Sequence, residues 1–367
     1  MKAQISYNKS SHRRERSQKR SLALAILFAM IFLLSTMLAC EKIDYGPKET
    51  RQFGDESAIV QEVRFSSNNF SIVGDIRYPE EGSLHPVIIL VHGSGDATRY
   101  GAVYFEPLIE IFLRNGYAVL SWDKPGSGES AGEFKNGQTI FQRADILVDA
   151  AEVLQENPHV DASNIGLWGI SQAGWVMPKA LEQTDAFSFM IVVSGGGEDG
   201  IDQGAFQQGQ LLQCGGGSHG DATIVEQYWS QMNKAETYQE YRNAVEILLE
   251  IPWITSNTPV ELQEEKNWSP WPRDIDAFYD PMTTMRETMI PVLAFFGGKD
   301  CYVDPFQGAD AYEAAFVAAG NSRGRVYFIE DANHVMIEAE TGCPGEAVAN
   351  QYMTAYLETL EFWLMEQ

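Results

Sequence analysis

Basic residues are scarce in this chain of 367 residues: 26 lysines and arginines stand against 51 acids, for a formal net charge of −25. Phosphate recognition needs a clustered basic footprint, so nucleic acid is excluded as a partner. The surplus acid reads as a solvated surface. Cysteine is sparse too, with Cys40, Cys214, Cys301 and Cys343 only. So few in so long a chain cannot form the disulfide framework of a small secreted scaffold. No group of His, Cys and acidic residues has metal-ligand spacing, so neither metal nor cofactor is expected. Internal repeats and low-complexity tracts are missing. The glycine-rich stretch CGGGSHGD (214–221) lacks the Gly-Lys-Ser/Thr ending of a phosphate-binding loop and reads as a flexible loop.

Long apolar runs are confined to the N-terminus. SHRRERSQKR (11–20) is a basic lead-in, and SLALAILFAMIFLLSTMLA (21–39) is an apolar run closing on small residues before Cys40. Its length would also suit an uncleaved signal anchor. The ending STMLAC resembles a bacterial lipoprotein lipobox, with Ala39 before the cysteine and Met37 and Leu38 in place of the usual leucine and small residue. That resemblance implies that residues 1–39 are a removed signal peptide. It also implies export to the periplasm or cell surface, with a lipid anchor on Cys40. Residues 40–57 are polar, contain Gly and Pro, and read as a tether. With Cys40 acylated, one intrachain disulfide remains available; Cys301 with Cys343 is one pairing, and unpaired thiols are the other reading.

From residue 58 onward strands alternate with helices. AIVQEVRFSSNNFSIVGDIRYP reads as a hairpin around SSNN. PVIILV, YAVLSW, NIGLWGI, FSFMIVV, PVLAFF and RVYFIE are short apolar runs, the mark of strands buried on both faces. Helical spacing lies between them, as in TIFQRADILVDAAEVLQEN, and GEAVANQYMTAYLETLEFWLMEQ closes the chain as a helix. The alternation predicts an α/β domain with a mostly parallel sheet and helices on both faces. It breaks once, at 201–285, a polar and aromatic-rich stretch with several helical segments. That section is expected to be a mostly helical cap inserted into a core of 58–200 and 286–367.

In such sheets ligands sit at the carboxyl ends of the strands. Standing there are His92-Gly93-Ser94-Gly95, Asp123, Ser171, Asp300 and His334. Ser171 follows the apolar run IGLWGI and is flanked by small residues. A serine hydroxyl is a weak nucleophile that needs a base. His334 is the one histidine after Asp300. It would take the Ser171 proton and return it to the leaving group, and Asp300 would fix its tautomer. Asp304, Glu330 and Asp331 are rival acids. The backbone N–H of Gln172 would be one oxyanion donor. His92, Asp123 and Arg143 read as structural supports of these loops.

The set LVHGSG, SWDKPGSGES, IGLWGISQAGW and GGKDCYVD resembles the α/β-hydrolase superfamily, where the nucleophile sits on a strained elbow in the chain order Ser, acid, His. It is similar to the serine esterase and acyl-hydrolase branch related to dienelactone hydrolases and to acyl-CoA thioesterase/bile-acid acyltransferase-like proteins. The elbow departs from Gly-x-Ser-x-Gly, reading Gly169-Ile170-Ser171-Gln172-Ala173 with Gly174 next. The resemblance implies hydrolysis of a small-molecule carboxylic ester through an acyl-enzyme, and places a second oxyanion donor at Ser94 or Gly95. A peptidase, a thioesterase or acyltransferase, and a lapsed hydrolase acting as a binding protein are the competing readings. NWSPW (267–271), in the cap, is expected to line an acyl pocket.

Overall fold

The computed structural model describes residues 43–134 and 140–367. The signal-like segment and Cys40 lie outside the described residues. Nine strands form one sheet in the order β1-β2-β3-β5-β4-β6-β7-β8-β9. They are β1 (Asp44–Phe53), β2 (Glu56–Ser67), β3 (Phe70–Tyr78), β4 (His85–Val91), β5 (Ala118–Trp122), β6 (Val160–Ile170), β7 (Phe187–Val193), β8 (Val292–Gly297) and β9 (Gly324–Ile329). The pairings from β1 to β5 are antiparallel, and those from β5 through β4 to β9 are parallel. The hairpin falls where SSNN predicts it: Ser67 pairs with Phe70, and Asn68 and Asn69 take φ of 51° and 63°. Two left-handed residues in a two-residue loop make the turn whose twist suits the strands it joins.

One expectation fails at the start. Residues 44–53 are not a tether; they form edge strand β1, paired with β2. Its bulge lies between Tyr45 and Lys48, around Gly46 and Pro47, where a proline costs the ladder least. Most of the apolar strands are central and buried, β5 and β8 along their whole length. RVYFIE departs from the expectation: β9 is the last strand of the sheet, with Tyr327 and Phe328 each 40% exposed.

The helices of the sheet layers are α1 (Ala102–Arg114), α2 (Ile140–Gln155), α3 (Ala173–Leu181), α9 (Pro305–Ala319) and α10 (Thr354–Leu364). On one face, Leu108 and Phe112 of α1 and Tyr356, Leu360 and Trp363 of α10 pack with Trp168, Phe189 and Phe295 of the sheet. The chain runs from β4 out to β5 and back past β4 to β6. That reversal opens a crevice at the carboxyl end of β4, the usual place for a ligand in an open α/β sheet. Between β7 and β8 lies the inserted section: α4 (Gly200–Cys214), α5 (His219–Lys234), α6 (Tyr238–Leu248), α7 (Pro252–Asn257) and α8 (Met282–Met285). It carries a small core of its own around Leu212, Val225, Leu248 and Ile254.

The cysteines pair differently from the expectation. Cys214 is bonded to Cys343, with Cα atoms 5.6 Å apart, and Cys301 is a buried free thiol. CGGGSHGD is therefore no free loop. Cys214 ends α4 and is covalently held, Gly217 packs its Cα against Leu212, and Ser218 caps α5 by accepting from the Asp221 N–H.

Candidate active site

Ser171 directly follows the central strand β6, with φ of 59°, the left-handed region that a side chain rarely adopts. Its N–H donates to the Val193 carbonyl at 2.8 Å, and its own carbonyl accepts from Gly174 at 2.8 Å. The sharp turn lifts the hydroxyl off the strand end. A Cβ on Gly169 would come within 2.5 Å of the Ala173 Cβ, and one on Gly174 within 2.6 Å of the Gly195 Cα. So Gly169 leaves room for the Ala173 methyl, and the closest helix–strand approach has moved to Gly174. This is why the elbow tolerates alanine.

Asp300 and His334 come together after β8 and β9. The two loops are zipped by Gly298 N–H to Ile329 O at 2.9 Å and Lys299 N–H to Ala332 O at 2.8 Å. A Cβ on Gly298 would meet the Glu330 carbonyl at 2.4 Å, so only glycine allows this approach. Asp300 Oδ1 accepts from the N–H groups of Tyr302 and Val303, leaving Oδ2 for His334 Nδ1 at 2.8 Å. The carboxylate side chain is 1% exposed and the imidazole 14%. Asn333 holds the turn that presents the histidine, its Oδ1 accepting from Val335 and Ile337. The Tyr302 ring lies 5.3 Å from the imidazole, centroid to centroid. The rival acids are elsewhere: Asp304 caps α9 through the Phe306 and Gln307 N–H groups, and Glu330 and Asp331 are exposed. Ser171 and His334 stand at strand ends of the same sheet edge without a hydrogen bond between them, as is common before substrate closes a site.

The loop after β4 lies against Ser171: a Cβ on Gly93 would be 3.2 Å from the Ser171 Cβ. From beneath, Lys124 Nζ donates to the carbonyls of Gly93 at 2.5 Å and Gly95 at 2.6 Å. Arg143 donates to the carbonyls of His92 and Gly93 and, at 2.8 Å, to Gln172 Oε1. Each trans peptide points its N–H opposite its carbonyl. With the Gly93 carbonyl held by Lys124 and Arg143, the Ser94 N–H points away from those two side chains. Gln172 stands at the head of α3, where backbone N–H groups and the helix dipole favour negative charge.

Lys124 was not legible as a site residue, although it follows Asp123 at the end of β5. Burial pushes its ammonium down to about 6, with Arg143 adding to the shift and Asp96 opposing it. His92 is buried between Phe105 and Trp122, its Nε2 bonded to the Thr98 carbonyl, and burial keeps it neutral. Asp123 binds Arg99 at 2.7 Å and the Glu129 N–H at 2.9 Å, a supporting role as expected. Among the described residues no group of His, Cys or acids could hold a metal ion, and no helix is long and apolar enough to cross a membrane.

Comparison with known proteins places this geometry. Residues 6–326 match the X-Pro dipeptidyl-peptidase (S15) family. An uncharacterized 31.7 kDa protein of the traX-finO intergenic region of Escherichia coli is 26% identical over 268 residues, covering 70% of this chain and 86% of that protein. Among solved structures, an acetyl xylan esterase from Paenibacillus sp. R4 superposes with a TM-score of 0.54 at 15% identity, over 93% of both chains. The Pyrococcus furiosus esterase Pf2001 does so with 0.53 at 14% identity, over 87% of this chain and 93% of that one. Likenesses at this identity establish the α/β-hydrolase fold.

Proposed function

The chain belongs to the X-Pro dipeptidyl-peptidase (S15) family of α/β-hydrolases, and from that premise we propose that it cleaves carboxylic esters through an acyl-enzyme on Ser171. The observation that carries the reading is the buried Asp300 carboxylate bonded to His334 Nδ1, which leaves Nε2 as the free base at the sheet edge where Ser171 stands on its strained turn. His334 takes the hydroxyl proton as Ser171 attacks the ester carbonyl, then delivers it to the departing alkoxide. Asp300 holds the tautomer and stabilises the imidazolium. Water repeats the sequence on the acyl-enzyme and releases the acid.

The N–H groups of Gln172 and Ser94 receive the developing oxyanion. Lys124 and Arg143 are positioning residues: they hold the loop carbonyls down, so the Ser94 N–H is aimed before substrate arrives. We further propose that residues 1–39 are removed on export and that Cys40 carries the lipid. Radiolabelled palmitate incorporated by the wild type and not by Cys40→Ser is the expected outcome.

A second reading is favoured by the family match itself: release of a dipeptide ending in proline by the same residues. One experiment separates the two. Full-length protein and Ser171→Ala are given a p-nitrophenyl ester series from acetate to decanoate, and Ala-Pro-p-nitroanilide. Ester turnover that vanishes in the variant, with the anilide untouched, is expected. Faster cleavage of the anilide transfers the assignment to the peptidase. Folded protein that turns over neither and resists a fluorophosphonate probe at Ser171 refutes both, and leaves a binding protein on a hydrolase scaffold.

A further inference from the structure

The NWSPW stretch, expected to line an acyl pocket, has polar neighbours. Together with α5 and α6 it walls a cavity of about 570 Å³ in the cap, a size that suits a small ligand. Its aromatic surfaces are Trp229, Trp268 and Trp271. Trp268 stacks on Tyr241 at 5.5 Å and 27°, so one indole face is supported from behind. The irregular segment carrying the tryptophans is fastened to α6: Tyr238 donates its hydroxyl to Gln263 O at 2.9 Å, and Tyr241 to Glu261 O at 2.8 Å. Pro259, Pro270 and Pro272 stiffen the same wall. The surface is therefore rigid before any ligand arrives, which lowers the entropy cost of binding. Trp271 remains 48% exposed at the rim.

The polar groups define the occupant. Gln263, Asn267 and Glu261 line the cavity as exposed residues, and among the described residues their side chains make no hydrogen bond. An acyl chain would strip water from them and return nothing. The lining carries one charge, the Glu261 carboxylate, and no cation, so phosphate and carboxylate ligands are disfavoured. A quaternary ammonium would suit the indoles but would offer nothing to the amide N–H groups. Amides and a carboxylate, which donate and accept in pairs, match hydroxyl groups that do both. Flat aromatic faces match the C–H face of a sugar ring.

We infer that the cap carries a carbohydrate-binding site, in which a neutral sugar unit stacks on Trp268 and Trp271 and hydrogen-bonds to Gln263, Asn267 and Glu261. This site is independent of Ser171 and of any turnover there. The test titrates full-length protein with xylotetraose, cellotetraose, mannotetraose and maltotetraose, followed by calorimetry and tryptophan fluorescence. Choline and decanoate serve as competing chemistries. At least one tetraose is expected to bind at millimolar concentration or below. Trp271→Ala and Gln263→Ala should each weaken it by about tenfold, on the scale of a single well-made contact. Both variants should keep the wild-type melting temperature and p-nitrophenyl acetate turnover. Lack of binding by all four sugars overturns the inference, as does binding that both variants retain, or occupation of the cavity by choline or decanoate instead.

Discussion

Breaking the Cys214–Cys343 bond is expected to cost stability in proportion to the chain it encloses. The bonded residues are 129 apart in sequence, so the bridge closes the cap beyond α4, β8, the Asp300 loop, β9 and the His334 turn into one loop. In the chain-entropy account a loop of that length is worth about 5 kcal/mol, because the open unfolded chain gains freedom that the native state never had. For a unit spanning Asp44–Gln367, that corresponds to a fall in Tm of about 7 °C. The double variant Cys214→Ser/Cys343→Ser isolates the effect. Both positions are half-buried, so a hydroxyl at either is easily hydrated. Guanidinium titration and thermal melting of both proteins, with and without a phosphine reductant, give the difference. The wild type under reductant should fall onto the variant, and the variant should ignore the reductant. If the oxidised wild type and the double variant lie within about 1 kcal/mol, the reasoning from unfolded-state freedom is refuted.

Four further outcomes follow from the site. Asp300→Asn should lower kcat by about 10⁴ with little change in KM, since the tautomer is lost and the binding surface is not; steady-state kinetics on an active ester check it. Lys124→Met should lower kcat by roughly 10–100-fold, because the loop carbonyls lose their anchor and an oxyanion donor loses its aim. The same variant also tests the burial of Lys124 through the pH dependence of stability. Lys124 is pushed down to about 6 in the fold against 10.5 as its ordinary value, so between those pH values the unfolded chain binds the extra proton. The stability of the wild type minus that of the variant should therefore rise as pH goes from 6 towards 10, read from melting curves of both proteins across that range; a difference independent of pH refutes the burial argument. Gly298→Ala places a methyl against the Glu330 carbonyl and should destabilise by about 1–3 kcal/mol while separating Asp300 from His334; a chemical melt and ester kinetics on the same sample check both.

The fold was legible because its signal is local. Uniformly apolar runs such as VIILV and IGLWGI read as strands buried on both faces, and Ser171 and Asp300 follow such runs, whereas His334 follows β9, an edge strand with no buried residue. Asp300 was named over Asp304 from its place directly after a strand; the zipped loops that bring it to His334 are revealed by no spacing, although Asp304 before Pro305 is a readable helix cap. β1 was hidden because an edge strand needs no apolar alternation: DYGPKETRQF is exposed along most of its length. The disulfide was hidden because the end of α4 meets the segment around Cys343 only in three dimensions. Cys301 does lie beside Cys343, its thiol against the Gly342 carbonyl at 2.8 Å, so the expected pairing was near in space and wrong in partner. Lys124 was passed over because a lysine after a strand ordinarily reaches water, and this one reaches two carbonyls.

The order of the cysteines bears on how the protein is made. Cys214, Cys301 and Cys343 leave the ribosome in that sequence, and the native bond skips the middle one. In an oxidising compartment, with Cys40 acylated as proposed, Cys214 would meet Cys301 before Cys343 is made, and Cys301 ends buried with its thiol on the Gly342 carbonyl. A thiol–disulfide isomerase should therefore raise the yield of native protein without altering its final stability, and Cys301→Ala should make that helper dispensable.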